Sequence, residues 1–178
     1  MIESNKYCDY PWWIVLLSNA VSLSIYGLGF FIMFRASWII SILYLIYILS
    51  LEYSLLGKHC VNCFYWGRVC GFGKGRLSSL FFKKGDTSKF CSNEFSWKDM
   101  IPDLLVSLIP FIVGIVSLIM KFDYLILSAL ILLTFLTTTG SGFIRGKLTC
   151  RYCKQMESGC PAYELFNKSR TPKNSGGK

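Results

Sequence analysis

The chain has almost no histidine: one, His59, in 178 residues. That argues against a His-rich catalytic metal site and against a Ser/His or Cys/His triad away from His59. Acidic residues are also scarce, ten against nineteen Lys and Arg, giving a formal net charge of +9. The apolar runs carry no ladder of carboxylates, which disfavours a proton pump or ion channel. The first apolar run has no small-residue cleavage site, and a second run follows at once, so it is not a signal peptide. The Gly-rich stretch GFGKGRLSSLFFKKGD, residues 71–86, lacks the G-x4-G-K-[ST] order of a phosphate loop. Cysteine is missing from all the long apolar runs, although the chain has eight.

Apolar residues are abundant, at 53% of the chain, more than an ordinary soluble domain carries. Four runs, residues 12–34, 38–56, 101–120 and 124–144, meet the length of about 20 residues that a membrane-crossing helix needs. The connections after the first and third runs are only RAS and KFD, which makes each pair an antiparallel hairpin. The expected fold is an all-α integral membrane protein of four transmembrane helices in two tandem hairpins. Arg35 and Lys121 lie in the tiny turns, and every other Lys and Arg lies on the opposite side. The positive-inside rule therefore puts both termini and the long central segment in the cytoplasm.

All eight cysteines fall on that cytoplasmic side. The cytosol is reducing, so thiolate ligation of metal is the leading reading and structural disulfides are disfavoured. Cys60, Cys63 and Cys70 read C-x2-C-x6-C, and Cys150, Cys153 and Cys160 repeat that spacing. Each triplet follows a hairpin and a Gly-Lys pair, Gly57-Lys58 or Gly146-Lys147. Cys8 ends the sequence NKYC ahead of the first hairpin, and Cys91 ends SKFC ahead of the second. The order Lys-aromatic-Cys, helix, helix, C-x2-C-x6-C therefore occurs twice, over residues 1–80 and 81–166. This points to a parallel internal repeat with a Cys-rich cytoplasmic cap. Residues 167–178 form a basic tail expected to be disordered.

Each half thus carries four cysteines, enough to saturate a tetrahedral zinc or a four-iron cluster. The fourth ligand, Cys8 or Cys91, could serve its own triplet or the other one. The expected cofactors are two [4Fe–4S] clusters, because two equivalent centres beside a membrane make an electron relay; two structural zinc ions are the alternative. The expected function is electron transfer between a soluble partner and a membrane partner or quinone. The zinc alternative makes the chain an interaction subunit or a lipid-acting enzyme. A third reading gives the thiols themselves redox or sulfur-transfer chemistry.

Glu52 and Asp103 sit near the cytoplasmic ends of their helices, where hydration is the simpler account of each and a proton or quinone role the alternative. Pro110 should kink the third span. Small and polar residues over 18–29 and 136–143 suit helix–helix contact. Residues 71–86 read as a turn followed by an amphipathic segment, with Leu77, Leu80, Phe81 and Phe82 dipping into the interface and Lys83 and Lys84 meeting anionic headgroups. The expected partners are the bilayer and a protein at the cytoplasmic face; no motif points to nucleic acid.

Overall fold

A computed structural model describes residues 7–86 and 97–154. Helix α1 (Trp12–Ala36) turns at Ser37 into α2 (Trp38–Lys58), and a short α3 (Lys74–Phe81) follows. Helix α4 (Trp97–Met120) turns through residues 121–123 into α5 (Tyr124–Phe135). Four helices are long and apolar enough to cross a membrane, Trp12–Ala36, Trp38–Asn62, Ile101–Met120 and Tyr124–Tyr152. Among the described residues there is no strand, only an isolated parallel bridge between Tyr7 and Cys153.

The two tiny turns lie at one end of the bundle, joined by an ion pair between Arg35 and Asp123. Asp123 also caps α5, accepting from the Leu125 N–H at 2.9 Å. Exposed Trp38, Phe122 and Tyr124 ring this end, and exposed Trp12 and Trp13 mark the start of α1 at the other. Such belts suit amphipathic rings at the two membrane–water interfaces. Between them the outward faces are apolar, with Leu23, Leu49, Ile119 and Ile131 all exposed. That pattern suits lipid as solvent.

Helix α1 is the hub and packs against α2, α4 and α5. Ile25 and Ile32 pack with Ile126, Ala129, Leu130 and Leu133 of α5, while Met33 packs with Tyr44, Ile48 and Val106. At Gly114 a Cβ would press on Leu130 and Ile32, so the missing side chain lets α4 approach both neighbours. Helix α4 continues through Pro102 and Pro110. Tyr44 Oη donates to the Val106 carbonyl at 2.7 Å, the group whose helical donor Pro110 removes.

Two helices run further than hydropathy alone indicated. Beyond Phe135, α5 continues through wider π turns at Leu136–Gly140 and Ile144–Thr149 as far as Tyr152. Helix α2 likewise runs on to Asn62. Cys60 and Cys150 therefore belong to the last turns of apolar helices, which corrects the expectation that no cysteine lies in a span. The reason is geometric: a helical turn keeps each carbonyl paired while the chain leaves the bilayer, so the helix outlasts its apolar run.

Residues 71–86 do form a turn and a helix. Ser78 Oγ fastens α3 to α2 by donating to the Leu56 carbonyl at 3.1 Å. Leu77, Leu80 and Phe81 stay exposed, whereas Phe82 folds back on Tyr53 with ring centroids 5.2 Å apart. The tail 167–178 lies outside the described residues, as do Cys91 and Cys160.

Candidate metal centre

The return helix of each hairpin leads directly into a C-x2-C pair. Cys60–Asn62 and Cys150–Tyr152 both tighten into a single 3₁₀ turn. In each, the second cysteine N–H donates to the carbonyl of the first at 3.3 Å: Cys63 to Cys60 and Cys153 to Cys150. The flanking backbone agrees too. His59 and Thr149 enter at φ −102°, ψ −48° and φ −97°, ψ −60°, and Cys63 and Cys153 leave at φ −80°, ψ 149° and φ −81°, ψ 125°. Two stretches with little sequence in common thus make the same turn.

The turn after Cys63 is built around sulfur. Gly75 N–H donates to Cys70 Sγ at 3.4 Å, and the Tyr65 backbone hydrogen-bonds to Cys63. Gly73 takes the left-handed conformation, φ +70°, that starts α3 at Lys74. Gly85 N–H donates back to the Val61 carbonyl at 3.0 Å, holding the segment after α3 against the first cysteine turn.

Residues 7–10 thread between the two cysteine turns. Tyr7 N–H donates to the Tyr152 carbonyl at 3.2 Å, and Tyr10 N–H to the Val69 carbonyl at 3.0 Å. Asp9 Oδ1 accepts from the Val69 N–H at 3.0 Å. Tyr10 Oη donates to the Thr149 carbonyl at 2.6 Å. Tyr65 Oη donates to the Tyr7 carbonyl at 2.8 Å and accepts from the Lys154 N–H at 3.0 Å. Tyr10, Ile14 and Tyr65 are buried here, and Cys63, Cys70 and Cys153 pack against them. One residue set therefore ties the first triplet to the second.

Burial pushes the Cys63 thiol up to about 12, the Tyr65 backbone hydrogen bond works against that rise, and nearby Cys153, Cys70 and Cys60 add to it. Crowded thiols resist ionising one at a time because each thiolate would repel the next; a bound cation reverses that balance. Burial likewise raises Tyr10 and Tyr65, which stay protonated as hydrogen-bond donors.

Of the eight predicted cysteines, the structure places six. Cys60, Cys63, Cys70, Cys150 and Cys153 are partly buried, and Cys8 is exposed. Cys8 Sγ lies 2.8 Å from Lys154 Nζ, beside the second triplet. Cys91 and Cys160 fall outside the described residues. Among the described residues, no three of His, Cys, Asp and Glu converge as a metal-binding group. His59 is exposed at the end of α2, its N–H donating to the Leu55 carbonyl at 3.0 Å. Thiolates are the donor type that suits a thiophilic metal; Cys63 lies within electrostatic reach of Cys60, Cys70 and Cys153, and Cys63 and Cys70 both hydrogen-bond with backbone.

Sequence reasoning missed the bridging role of the tyrosines. Tyr7, Tyr10 and Tyr65 tie the two turns together, and the available signal was their place within two residues of a cysteine in YCDY and CFY. It also took hydration as the simpler account of Glu52, with a proton or quinone role as the alternative. Glu52 instead pairs with Lys74, Nζ lying 2.8 and 2.6 Å from its two oxygens, and accepts from Tyr26 Oη at 2.7 Å. Cys60 lies within electrostatic reach of both Lys74 and Glu52. Asp103 is exposed.

No family model, no curated protein and no solved structure matches the chain.

Proposed function

We propose that this chain is a membrane-anchored metalloprotein with two four-cysteine centres at the cytoplasmic face, each a [4Fe–4S] cluster, passing electrons between a soluble partner and a membrane partner or quinone. The observation that carries the reading is the pair of matching C-x2-C turns, each delivered by the return helix of a hairpin and packed against the same tyrosines. Matching turns in matching order support an internal duplication of the site. In this reading Cys60, Cys63 and Cys70 hold one cluster and Cys150, Cys153 and Cys160 the other.

Cys8 completes the second triplet. The support is its place along the chain: Tyr7 bridges to Cys153, which sets Cys8 beside Lys154. Cys91 then completes the first triplet. Such an exchange ties the halves together, as in two-cluster ferredoxins whose fourth cysteine serves the other cluster.

Zinc is the second reading, because four thiolates suit both metals. The described end of the bundle is already fastened by hydrogen bonds from Tyr10, Tyr65 and Tyr7 between the two turns. Two further structural staples would add little there, whereas two adjacent clusters would add an electron path. The exposed Leu80, Phe81, Lys83 and Lys84 suit anionic headgroups at the same face, and a soluble protein partner would dock beside them.

Anaerobic purification with iron, zinc and acid-labile sulfide analysis tests this. A brown sample with iron and sulfide in equal amounts is expected. A colourless sample with stoichiometric zinc selects the second reading, and a sample with neither metal removes both.

A further inference from the structure

A groove of about 740 Å³ runs between α1 and α2, on the side of α1 that carries Asn19, Tyr26, Gly27 and Phe30. Its size is within the range of small-molecule sites. Leu23, Leu45 and Leu49 form exposed walls, so the groove opens sideways toward lipid. Its body is apolar, and its polar groups gather at the end closed by Phe72, Gly73 and Lys74. An occupant must therefore be an amphiphile with its head toward the cysteines and its tail along the helices.

The polar end also selects the kind of head. Lys74 and Glu52 form a bonded pair of zero net charge. A phosphate headgroup entering here would gain Lys74 only against the repulsion of the Glu52 carboxylate, so an anionic lipid is disfavoured. After two hydrogen bonds to Glu52, the Lys74 ammonium retains a third N–H. Asn19 donates both amide hydrogens, to the Val15 and Phe72 carbonyls at 2.8 and 3.2 Å, which leaves its side-chain oxygen as an acceptor. One donor and one acceptor in an electroneutral setting suit a neutral head bearing a carbonyl or a hydroxyl.

We infer that this groove binds an isoprenoid quinone, its ring between Asn19 and Lys74 and its tail along Tyr26, Gly27 and Phe30. Choosing an isoprenoid quinone among neutral amphiphiles rests on the electron-transfer reading; the groove and its neutral head site do not. The position suits that role. Lys74 begins the helix whose next residue, Gly75, donates to Cys70 Sγ, and Cys60 is within electrostatic reach of the Lys74–Glu52 pair. The head would thus sit beside the first cysteine triplet.

Gly27 offers a test, because it lines the groove and a Cβ added there meets nothing within 4 Å, so a larger side chain starts from open space. Full-length protein in neutral detergent is dialysed against a naphthoquinone carrying a two-isoprenyl tail, with iron, zinc and sulfide measured on the same samples. The wild type is expected to bind one equivalent. Gly27→Phe should weaken binding by about tenfold or more with metal content unchanged. If Gly27→Phe does not fold, Leu45→Trp narrows the same groove from α2. Equal binding by wild type and filled variants, or none by the wild type, overturns the groove whatever the metal content. Phosphatidylglycerol displacing the quinone at equimolar amounts overturns the neutral-head assignment. Groove-dependent quinone binding in a sample free of iron supports the site while removing the electron-transfer reading.

Discussion

Tyr44 Oη and the Val106 carbonyl form a 2.7 Å hydrogen bond that replaces the helical one Pro110 cannot make. Tyr44 is only 4% exposed, and Gly29 leaves room for its hydroxyl, since a Cβ there would strike it. Tyr44→Phe should therefore cost about 1–3 kcal/mol, the penalty for stranding a buried carbonyl. Pro110→Ala supplies the missing N–H, so Tyr44→Phe should cost much less in that background. Unfolding midpoints of the four proteins in an SDS titration measure the coupling. Equal losses in both backgrounds would show that the hydroxyl does not compensate for the proline.

The Arg35–Asp123 pair gives the tiny turns a pH dependence. The Arg35 hydrogen bond holds the Asp123 carboxyl below its usual range, helped by the Leu125 N–H. A carboxyl lowered by folding contributes stability above its unfolded pKa of about 3.9, and the contribution is lost as pH falls through the lower folded value. The effect should be small, because nearly half of the Arg35 side chain is exposed. Wild type should lose slightly more thermal stability than Asp123→Asn between pH 7 and pH 3. Identical pH profiles would refute the linkage.

Orientation can be measured without any functional assay. Reporter fusions at both termini and after Gly85 should read cytoplasmic, and one at Ala36 external. Export of the segment at Gly85 would put the cysteines in an oxidising compartment and make disulfides the better account.

The cysteine assignments separate by variant. Alanine at Cys63 or at Cys153 should each remove about half of the metal while the helices still insert. Cys8→Ala should damage the centre of Cys150 and Cys153, and Cys91→Ala that of Cys60 and Cys63. In the iron–sulfur reading, a cluster lacking its fourth thiolate loses one iron, so each single variant should show a [3Fe–4S] EPR signal. Wild-type metal content and spectra in the Cys8→Ala, Cys91→Ala double variant would exclude both as ligands.

The four spans and two tiny turns were legible because hydropathy is a property of consecutive residues. The solvent a helix faces acts on each residue whatever its distant neighbours do. The predicted span at residues 101–120 coincides with the apolar part of α4, Ile101–Met120, and the other spans begin where hydropathy put them. The C-x2-C spacing was equally local, and its two 3₁₀ turns follow from chain geometry over four residues. Helix ends were less legible. α2 and α5 run past their apolar stretches, because backbone hydrogen bonding continues a helix after the side chains stop requiring it.

What the sequence by itself determined, then, is the count and place of the helices and the grouping of cysteines near their ends. The tertiary structure alone decided which cysteine meets which segment. Tyr7 reaches Tyr152, Tyr10 reaches Thr149 and Cys8 reaches Lys154 across more than 130 residues of chain. Lys74 pairs with Glu52 only because α3 folds back over α2. These contacts depend on how each helix is rotated about its axis as it packs. That rotation is set by side-chain fit against helices from elsewhere in the chain, such as Gly114 against Leu130 and Gly29 against Tyr44. Composition and spacing within one segment carry no record of the partner that will fill its grooves.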